Sequence, residues 1–147
     1  MKVRMVSWCL LAFSFLLLAA CTPHQNLKIP EVKTFFDEVV NSTDLISKGQ
    51  LQKFDKVYLT VEYSLTTDDF PSKERQVIFE KTRDFFLSLT IRNLIVEQIG
   101  SENEQRMFNE GFTIRFQKPN SETYWVYGQV NGELVLINEE KTKNLGS

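Results

Sequence analysis

Few side chains in this 147-residue chain combine into a recognisable chemical site. The one histidine, His24, lies in a short polar segment that offers no neighbour to orient it as a catalytic base. The two cysteines, Cys9 and Cys21, both lie near the N-terminus, so the rest of the chain lacks the His and Cys ligands that zinc prefers. Asp68 and Asp69 precede Phe-Pro, which is typical of a turn before a helix. We predict no catalytic residue, metal or cofactor, and a carboxylate-based hydrolase is the residual enzymatic alternative.

The first 20 residues have the layout of a secretory signal. Lys2 and Arg4 precede a stretch from residue 5 to residue 20 in which two serines are the only polar side chains. A basic start, an apolar segment and small residues before a cleavage site make up such a signal. The apolar stretch is shorter than the roughly 20 residues that a membrane-spanning helix needs, so cleavage is favoured over an uncleaved anchor.

The end of this stretch, Leu18-Ala19-Ala20-Cys21, resembles the lipobox of bacterial lipoprotein precursors at all four positions. The resemblance implies transfer of diacylglycerol to the Cys21 sulfur, cleavage before Cys21, and acylation of the new amino terminus. Two or more acyl chains hold a protein stably on a membrane. We therefore expect a lipid-anchored protein on the extracytoplasmic face of a bacterial membrane, with no free thiol left in the mature chain.

The net charge argues against one class of partner. Removal of residues 1–20 takes Lys2 and Arg4 with it, which leaves 15 basic and 19 acidic side chains and a net charge of −4. The two signs are interspersed along the chain. Binding of nucleic acid needs clustered lysine and arginine to release counterions, so no nucleic-acid partner is expected.

The chain divides into four segments by composition. Residues 1–20 are the predicted lipoprotein signal peptide, and residues 21–30 are the lipidated cysteine and a tether without hydrophobic periodicity. Residues 31–140 hold one α+β domain, and residues 141–147 form a polar tail.

Helical periodicity appears in two or three places. A five-residue apolar stripe predicts an amphipathic helix from Pro30 to about Ser42, which Leu45 and Ile46 can extend as far as Gly49. Ser72 is the predicted N-cap of a second helix. Residues 90–99 suit a helix or a strand, and we favour the helix.

Alternating patterns predict the strands. Residues 57–65 and 112–117 alternate between apolar and polar side chains, as half-buried strands do. Asn131-Gly132 between two apolar runs predicts a hairpin with a type I′ turn. The predicted cross-strand pairs are Val130–Glu133, Gln129–Leu134, Gly128–Val135, Tyr127–Leu136, Val126–Ile137 and Trp125–Asn138. The predicted fold is α+β, with helices packed on one face of an antiparallel sheet that ends in a β-meander with this hairpin.

Both faces of the predicted hairpin are apolar, which singles it out as a candidate contact surface. If helices cover only one face of the sheet, an aromatic and aliphatic patch is exposed on the other, of the kind that marks interaction sites. The residues of this predicted patch are Trp125, Tyr127, Leu134 and Leu136. The alternative is that a helix, such as residues 31–46 or 90–99, covers this face and makes the patch part of the core.

Two functions fit these observations. The first is a membrane-anchored, non-catalytic interaction or accessory module that binds a protein of the cell envelope. The alternative is a small-ligand or lipid-binding lipoprotein with an apolar pocket between the helices and the sheet. Six phenylalanines are candidates to line such a pocket: Phe35, Phe36, Phe85, Phe86, Phe112 and Phe116.

Overall fold

A computed structural model of the chain describes residues 25–120 and 123–141. The predicted signal peptide, the predicted lipobox, His24 and residues 142–147 of the predicted tail lie outside these residues. Within the described ranges, no helix combines the length and the apolar character needed to cross a bilayer.

One sheet organises the described part of the chain, and its six strands lie side by side in chain order. The strands are β1 (Gln25–Asn26), β2 (Ile46–Phe54), β3 (Tyr58–Leu65), β4 (Phe112–Gln117), β5 (Thr123–Val130) and β6 (Glu133–Lys141). The helices are α1 (Pro30–Asn41), α2 (Ser72–Leu87), α3 (Leu89–Ile99) and the short α4 (Glu104–Arg106), which continues as a π-turn over Met107–Gly111. The predicted α+β class is thus confirmed.

The sheet is mixed, which the sequence did not predict. All neighbouring strands are antiparallel except β3 and β4, which run parallel with Val61 opposite Ile114. Parallel neighbours need a long crossover connection, because a tight turn only joins antiparallel strands. The segment from α2 to the π-turn provides this crossover and brings its helices onto one face of the sheet.

The core lies between the helices and this covered face of the sheet. Alternate residues of β3 and β4 are buried there, as the period-two pattern predicts: Leu59, Val61, Tyr63, Leu65, Phe112, Ile114 and Phe116. Aromatic rings join the layers, since the Phe36 ring of α1 meets the Tyr63 ring of β3 edge-on with centroids 5.7 Å apart. Phe35 of α1 stacks on Phe85 of α2 at 4.0 Å, which joins the two helices over the sheet.

The predicted extension of the first helix was wrong. α1 ends at Asn41, and Ile46–Phe54 form β2, paired with β3. Only Ile46 and Leu51 of this strand are buried, so the sequence shows little period-two signal there. Gly49 lies within this strand. The ring of Phe36 packs directly over it, where the Cβ atom of any other residue would collide.

Part of the predicted tether belongs to the domain. Gln25 and Asn26 pair with β2, and the Leu27 amide donates a hydrogen bond to the Leu51 carbonyl oxygen at 3.0 Å. Leu27 and Ile29 are buried. Their alternation places both side chains in the core, so the assignment of residues 25–30 to a tether was wrong and the domain begins before residue 31.

The crossover helices agree with the sequence except at one cap. The helix predicted over residues 90–99 is confirmed as α3. Ser72 is the first residue of α2 rather than its N-cap, because Pro71 occupies the cap position and no side chain bonds to the free amides. Ser88 is extended and separates α2 from α3.

Asn131 and Gly132 connect β5 to β6, with φ angles of 53° and 85°. The four pairs nearest this connection, from Val130–Glu133 to Tyr127–Leu136, are those expected from the sequence. Beyond them β6 contains one additional residue, Ile137, so Val126 lies opposite Asn138 and Trp125 opposite Glu139. The predicted pairs Val126–Ile137 and Trp125–Asn138 were wrong because this β-bulge shifts the register. β6 also extends to Lys141, the first residue of the predicted tail.

Candidate functional site

Tyr127 lies in the core, although the sequence nominated it for an exposed patch. Its side chain is 4 % exposed, and its ring stacks on Phe79 of α2 with centroids 4.0 Å apart. The Tyr127 hydroxyl accepts a hydrogen bond from Arg75 Nε at 3.3 Å. Both contacts come from α2, so this helix covers the face that the patch was expected to leave open.

Trp125 is half-buried on the same face. Its ring contacts Phe70 at 6.3 Å, and two cations lie near its centroid, the Arg75 guanidinium at 4.6 Å and the Lys118 ammonium at 4.3 Å. Cations are attracted to the electron-rich face of an indole ring. These contacts leave Trp125 with little free surface for a partner.

The two leucines of the predicted patch differ from each other. Leu134 is partly buried against the core, whereas Leu136 is 46 % exposed near the edge of the sheet. The prediction of a contiguous exposed patch was therefore wrong. Neither helix weighed from the sequence carries the stacking contact with Tyr127, because Phe79 belongs to α2.

The exposed apolar side chains of the hairpin lie on the opposite face. Val130, Val135 and Ile137 are 46 %, 39 % and 56 % exposed, and we call these three residues the aliphatic patch. The Ile137 side chain lies over Gly128, which has no side chain to hold it away. The outer edge of β6 borders this patch, and no strand within the described ranges pairs with it.

Most of the rest of this open face is polar, with Tyr58 of β3, 54 % exposed, as an aromatic exception. The Gln50 amide donates to Glu62 at 2.7 Å, linking β2 to β3, and the Thr60 and Thr113 hydroxyls share a hydrogen bond of 2.8 Å across β3 and β4. Side chains that satisfy one another in this way have little to offer an apolar partner. The aliphatic patch is therefore confined to the β5–β6 end of the face.

A groove of about 640 Å³ lies at the other end of the sheet. It runs between β2, α1 and the segment that connects β1 to α1. Its apolar walls come from five residues, Leu27, Ile29, Val32, Phe36 and Leu51. Three lysines and one aspartate also line it: Lys28, Lys33, Lys48 and Asp37.

The six phenylalanines nominated for a pocket mostly form the core instead. Phe86, Phe112 and Phe116 are fully buried and contact other core rings. Of the six, only Phe36 lines the groove. Phe35 and Phe85 border a shallower depression of about 450 Å³ on the outer side of the helices. The sequence missed the groove because the residues on one of its walls were assigned to a tether.

Asp68 and Asp69, the carboxylates considered from the sequence, lie in the part of the chain that the structure describes. No cluster there brings three His, Cys, Asp or Glu side chains together for a metal ion. Asp68 and Asp69 are exposed, and the Asp69 amide donates to Thr67 Oγ1 within the turn before α2. Burial raises the pKa of Tyr63 far above its usual value, and the hydrogen bond with Thr82 only partly opposes this shift. Tyr63 is consequently a neutral core residue at physiological pH.

Comparisons of the chain with protein-family models, with curated proteins and with solved structures found no match. The aliphatic patch and the groove are two surfaces from which a function can be argued.

Proposed function

We propose that the chain is a membrane-anchored extracytoplasmic lipoprotein that acts as a non-catalytic interaction module at the cell envelope. The lipobox at residues 18–21 supports the anchor. One observation carries the interaction role: of the seven large apolar side chains that are exposed in the described residues, three lie together on the open face of β5 and β6. Such a concentration on one hairpin is typical of a contact surface.

The partner that best fits this surface is an envelope protein presenting an extended aliphatic segment. Removal of Val130, Val135 and Ile137 from water on contact contributes about 25 cal/mol per Å² of apolar surface. The outer edge of β6 adds backbone N–H and C=O groups, which can pair with an incoming strand. Side-chain contact and strand pairing can act together here, because the patch and the edge adjoin.

Photo-cross-linking in intact cells tests the contact. A photo-reactive amino acid in place of Val135 is expected to yield one cross-linked envelope protein. The matched control is the same amino acid in place of Val77, which is 59 % exposed on α2. A product from position 135 that is missing from position 77 supports the proposal, and identical products or none at all contradict it.

Metabolic labelling tests the anchor separately. A radioactive fatty acid should label the wild-type protein, and the variant Cys21→Ala should lose the label because the acceptor sulfur is gone. Continued labelling of that variant would contradict lipidation at Cys21, whatever the cross-linking experiment shows.

The groove between β2 and α1 favours a second candidate function, a lipid-binding or small-ligand-binding lipoprotein. A volume of about 640 Å³ with apolar walls is in the range of small-molecule sites. Binding of a ligand to the folded state raises the melting temperature by mass action. A panel of lipids and small metabolites that produces no rise would contradict this candidate.

A further inference from the structure

The groove lies next to the point where the described chain begins. Asn26, Leu27 and Lys28 line it, and Gln25 is four residues beyond Cys21. An extended chain covers at most about 3.6 Å per residue, so Gln25 lies within about 14 Å of the anchoring cysteine. This step depends on the proposed lipidation of Cys21. Under that condition the groove is close to the lipid headgroups of the anchoring membrane.

The charge around the groove is opposite to that of the mature chain. Lys28, Lys33 and Lys48 line it together with one carboxylate, Asp37, which is paired with Lys33. Neither Lys28 nor Lys48 has a carboxylate partner within the described residues. Two ammonium groups without a partner carboxylate therefore border a groove in a chain whose mature net charge is −4. This arrangement complements an anion.

The start of α1 adds to this positive potential. The helix begins at Pro30, which lines the groove, and no side chain caps its first turn. Uncapped amides at the N-terminus of a helix attract anions, and here they act together with the lysines. Glu31, the acidic residue of this turn, borders the depression on the other side of the helix and does not line the groove.

The walls of the groove fit the apolar part of a ligand. Leu27, Ile29, Val32, Phe36 and Leu51 line it with aliphatic and aromatic atoms, and each of these side chains is at most 7 % exposed, so the apolar surface is narrow. Gly49 adds no side chain to the groove, and the Phe36 ring packs directly against it. A ligand that joins an anionic group to a hydrocarbon chain matches both parts of this site.

We propose that the groove binds one molecule of an anionic phospholipid from the bilayer in which the protein is anchored. The phosphate lies at Lys28, Lys48 and the first turn of α1, and an acyl chain lies along the apolar walls. This contact sets the orientation of the domain. Strands are spaced by about 4.8 Å, so the five spacings from β1 to β6 place the aliphatic patch about 24 Å from the membrane-facing end.

Native mass spectrometry of the purified mature lipoprotein in detergent tests the proposal. Titration with phosphatidylglycerol is expected to give a saturable adduct of one lipid per chain, and phosphatidylcholine should bind at least about tenfold more weakly. Each lysine near an anionic lipid contributes roughly fivefold to binding. The variant Lys28→Gln/Lys33→Gln/Lys48→Gln should therefore lose at least about tenfold in affinity for phosphatidylglycerol.

A matched variant controls for net charge. Lys56, Lys73 and Lys81 are exposed and lie outside the groove, so their replacement by glutamine removes the same charge and should leave the adduct unchanged. Glycerol phosphate, which has no acyl chain, should not compete at the concentrations at which the lipid saturates the site. Equal losses in the two triple variants, or equal binding of the two lipids, would overturn the proposal.

Three further measurements separate a failure of this proposal from a failure of the proposed function. If Cys21→Ser binds phosphatidylglycerol and the wild type does not, the groove holds the protein's own acyl chain and the proposal is wrong. The intact mass of the same sample shows whether Cys21 carries lipid, and the cross-link from position 135 reports the partner. A failure of lipid binding is therefore distinguishable from a failure of the anchor or of the interaction role.

Discussion

The two faces of the β5–β6 hairpin carry similar side chains in different surroundings. Tyr127 is 4 % exposed beneath Phe79, whereas Ile137, one strand away on the opposite face, is 56 % exposed. Apolar residues occupy alternate positions on both faces, so the sequence pattern does not show which face is buried. What separates them is the position of α2, which lies on the covered face and contributes Arg75 and Phe79.

The position of α2 follows from the parallel pairing of β3 and β4. A connection between parallel neighbours must cross over one face of the sheet, and here it carries α2 and α3. The antiparallel strands β5 and β6 then extend the sheet beneath and beyond these helices. Their covered face gains helical contacts only as far as α2 reaches, which is why Leu136 on that face is still 46 % exposed.

The largest expected difference between the two faces is one of stability. Tyr127→Ala removes a buried ring that stacks on Phe79, and it should lower the free energy of unfolding by about 3–5 kcal/mol. Ile137→Ala, on the open face, should lower it by less than about 1 kcal/mol. Urea unfolding of both variants measures this contrast. Equal losses of unfolding free energy in the two variants would contradict the claim that α2 buries only one face of the hairpin.

A pair of strand glycines gives a second contrast. Gly49→Ala on the covered face places a methyl group against the buried Phe36 ring and should cost about 1–3 kcal/mol, because the core must shift. Gly128→Ala on the open face meets mainly the end of the flexible Ile137 side chain, which can move aside, so its cost should stay below about 1 kcal/mol. Thermal unfolding of the two variants compares them, and a larger loss at Gly128 would contradict the account.

Loss of the Tyr63 hydroxyl should have the smallest effect on the free energy of unfolding, and this effect should depend on pH. Thr82 donates to the Ile78 carbonyl oxygen, so the Tyr63 hydroxyl donates to Thr82 at 2.8 Å. Tyr63→Phe removes this bond and should cost about 1–2 kcal/mol at neutral pH.

Above pH 10 the variant should lose stability more slowly than the wild type. Burial raises the pKa of Tyr63, whereas the unfolded chain releases the phenol proton near pH 10. The free energy of unfolding is therefore insensitive to this group below about pH 10 and falls as the pH rises further. Chemical denaturation from pH 8 to pH 11 measures the two slopes, and identical slopes would rule out this role for Tyr63.

The sequence predicted those elements whose patterns are local. β3 and β4 alternate cleanly because one face of each is buried, and Asn131-Gly132 identified the correct pairs next to the β5–β6 connection. β2 was missed because only Ile46 and Leu51 are buried in it. The bulge at Ile137 was missed because nothing in the alternation marks an additional residue.

The candidate surfaces were harder to predict because they depend on contacts between distant segments. The exposed face of the hairpin is set by α2, about 50 residues earlier in the chain. The groove is set by Leu27 and Ile29 packing beside β2. The alternation of Leu27 and Ile29 with polar residues could have placed these two side chains in the core. The segment is too short, however, for a period-two pattern to be recognised. The resemblance of residues 18–21 to a lipobox is local, since it depends on four consecutive residues, and lipidation of Cys21 stays a prediction.

The accessibility of introduced cysteines in intact cells tests the central claim most directly, namely that the aliphatic patch is covered by a partner. The proposed removal of residues 1–20 and acylation of Cys21 leave an introduced cysteine as the one free thiol. Ile137→Cys and Val77→Cys replace side chains of almost equal exposure, 56 % and 59 %. We predict that a bulky maleimide labels both in the purified protein but labels only Val77→Cys in cells. Equal labelling of the two in cells would contradict the claim.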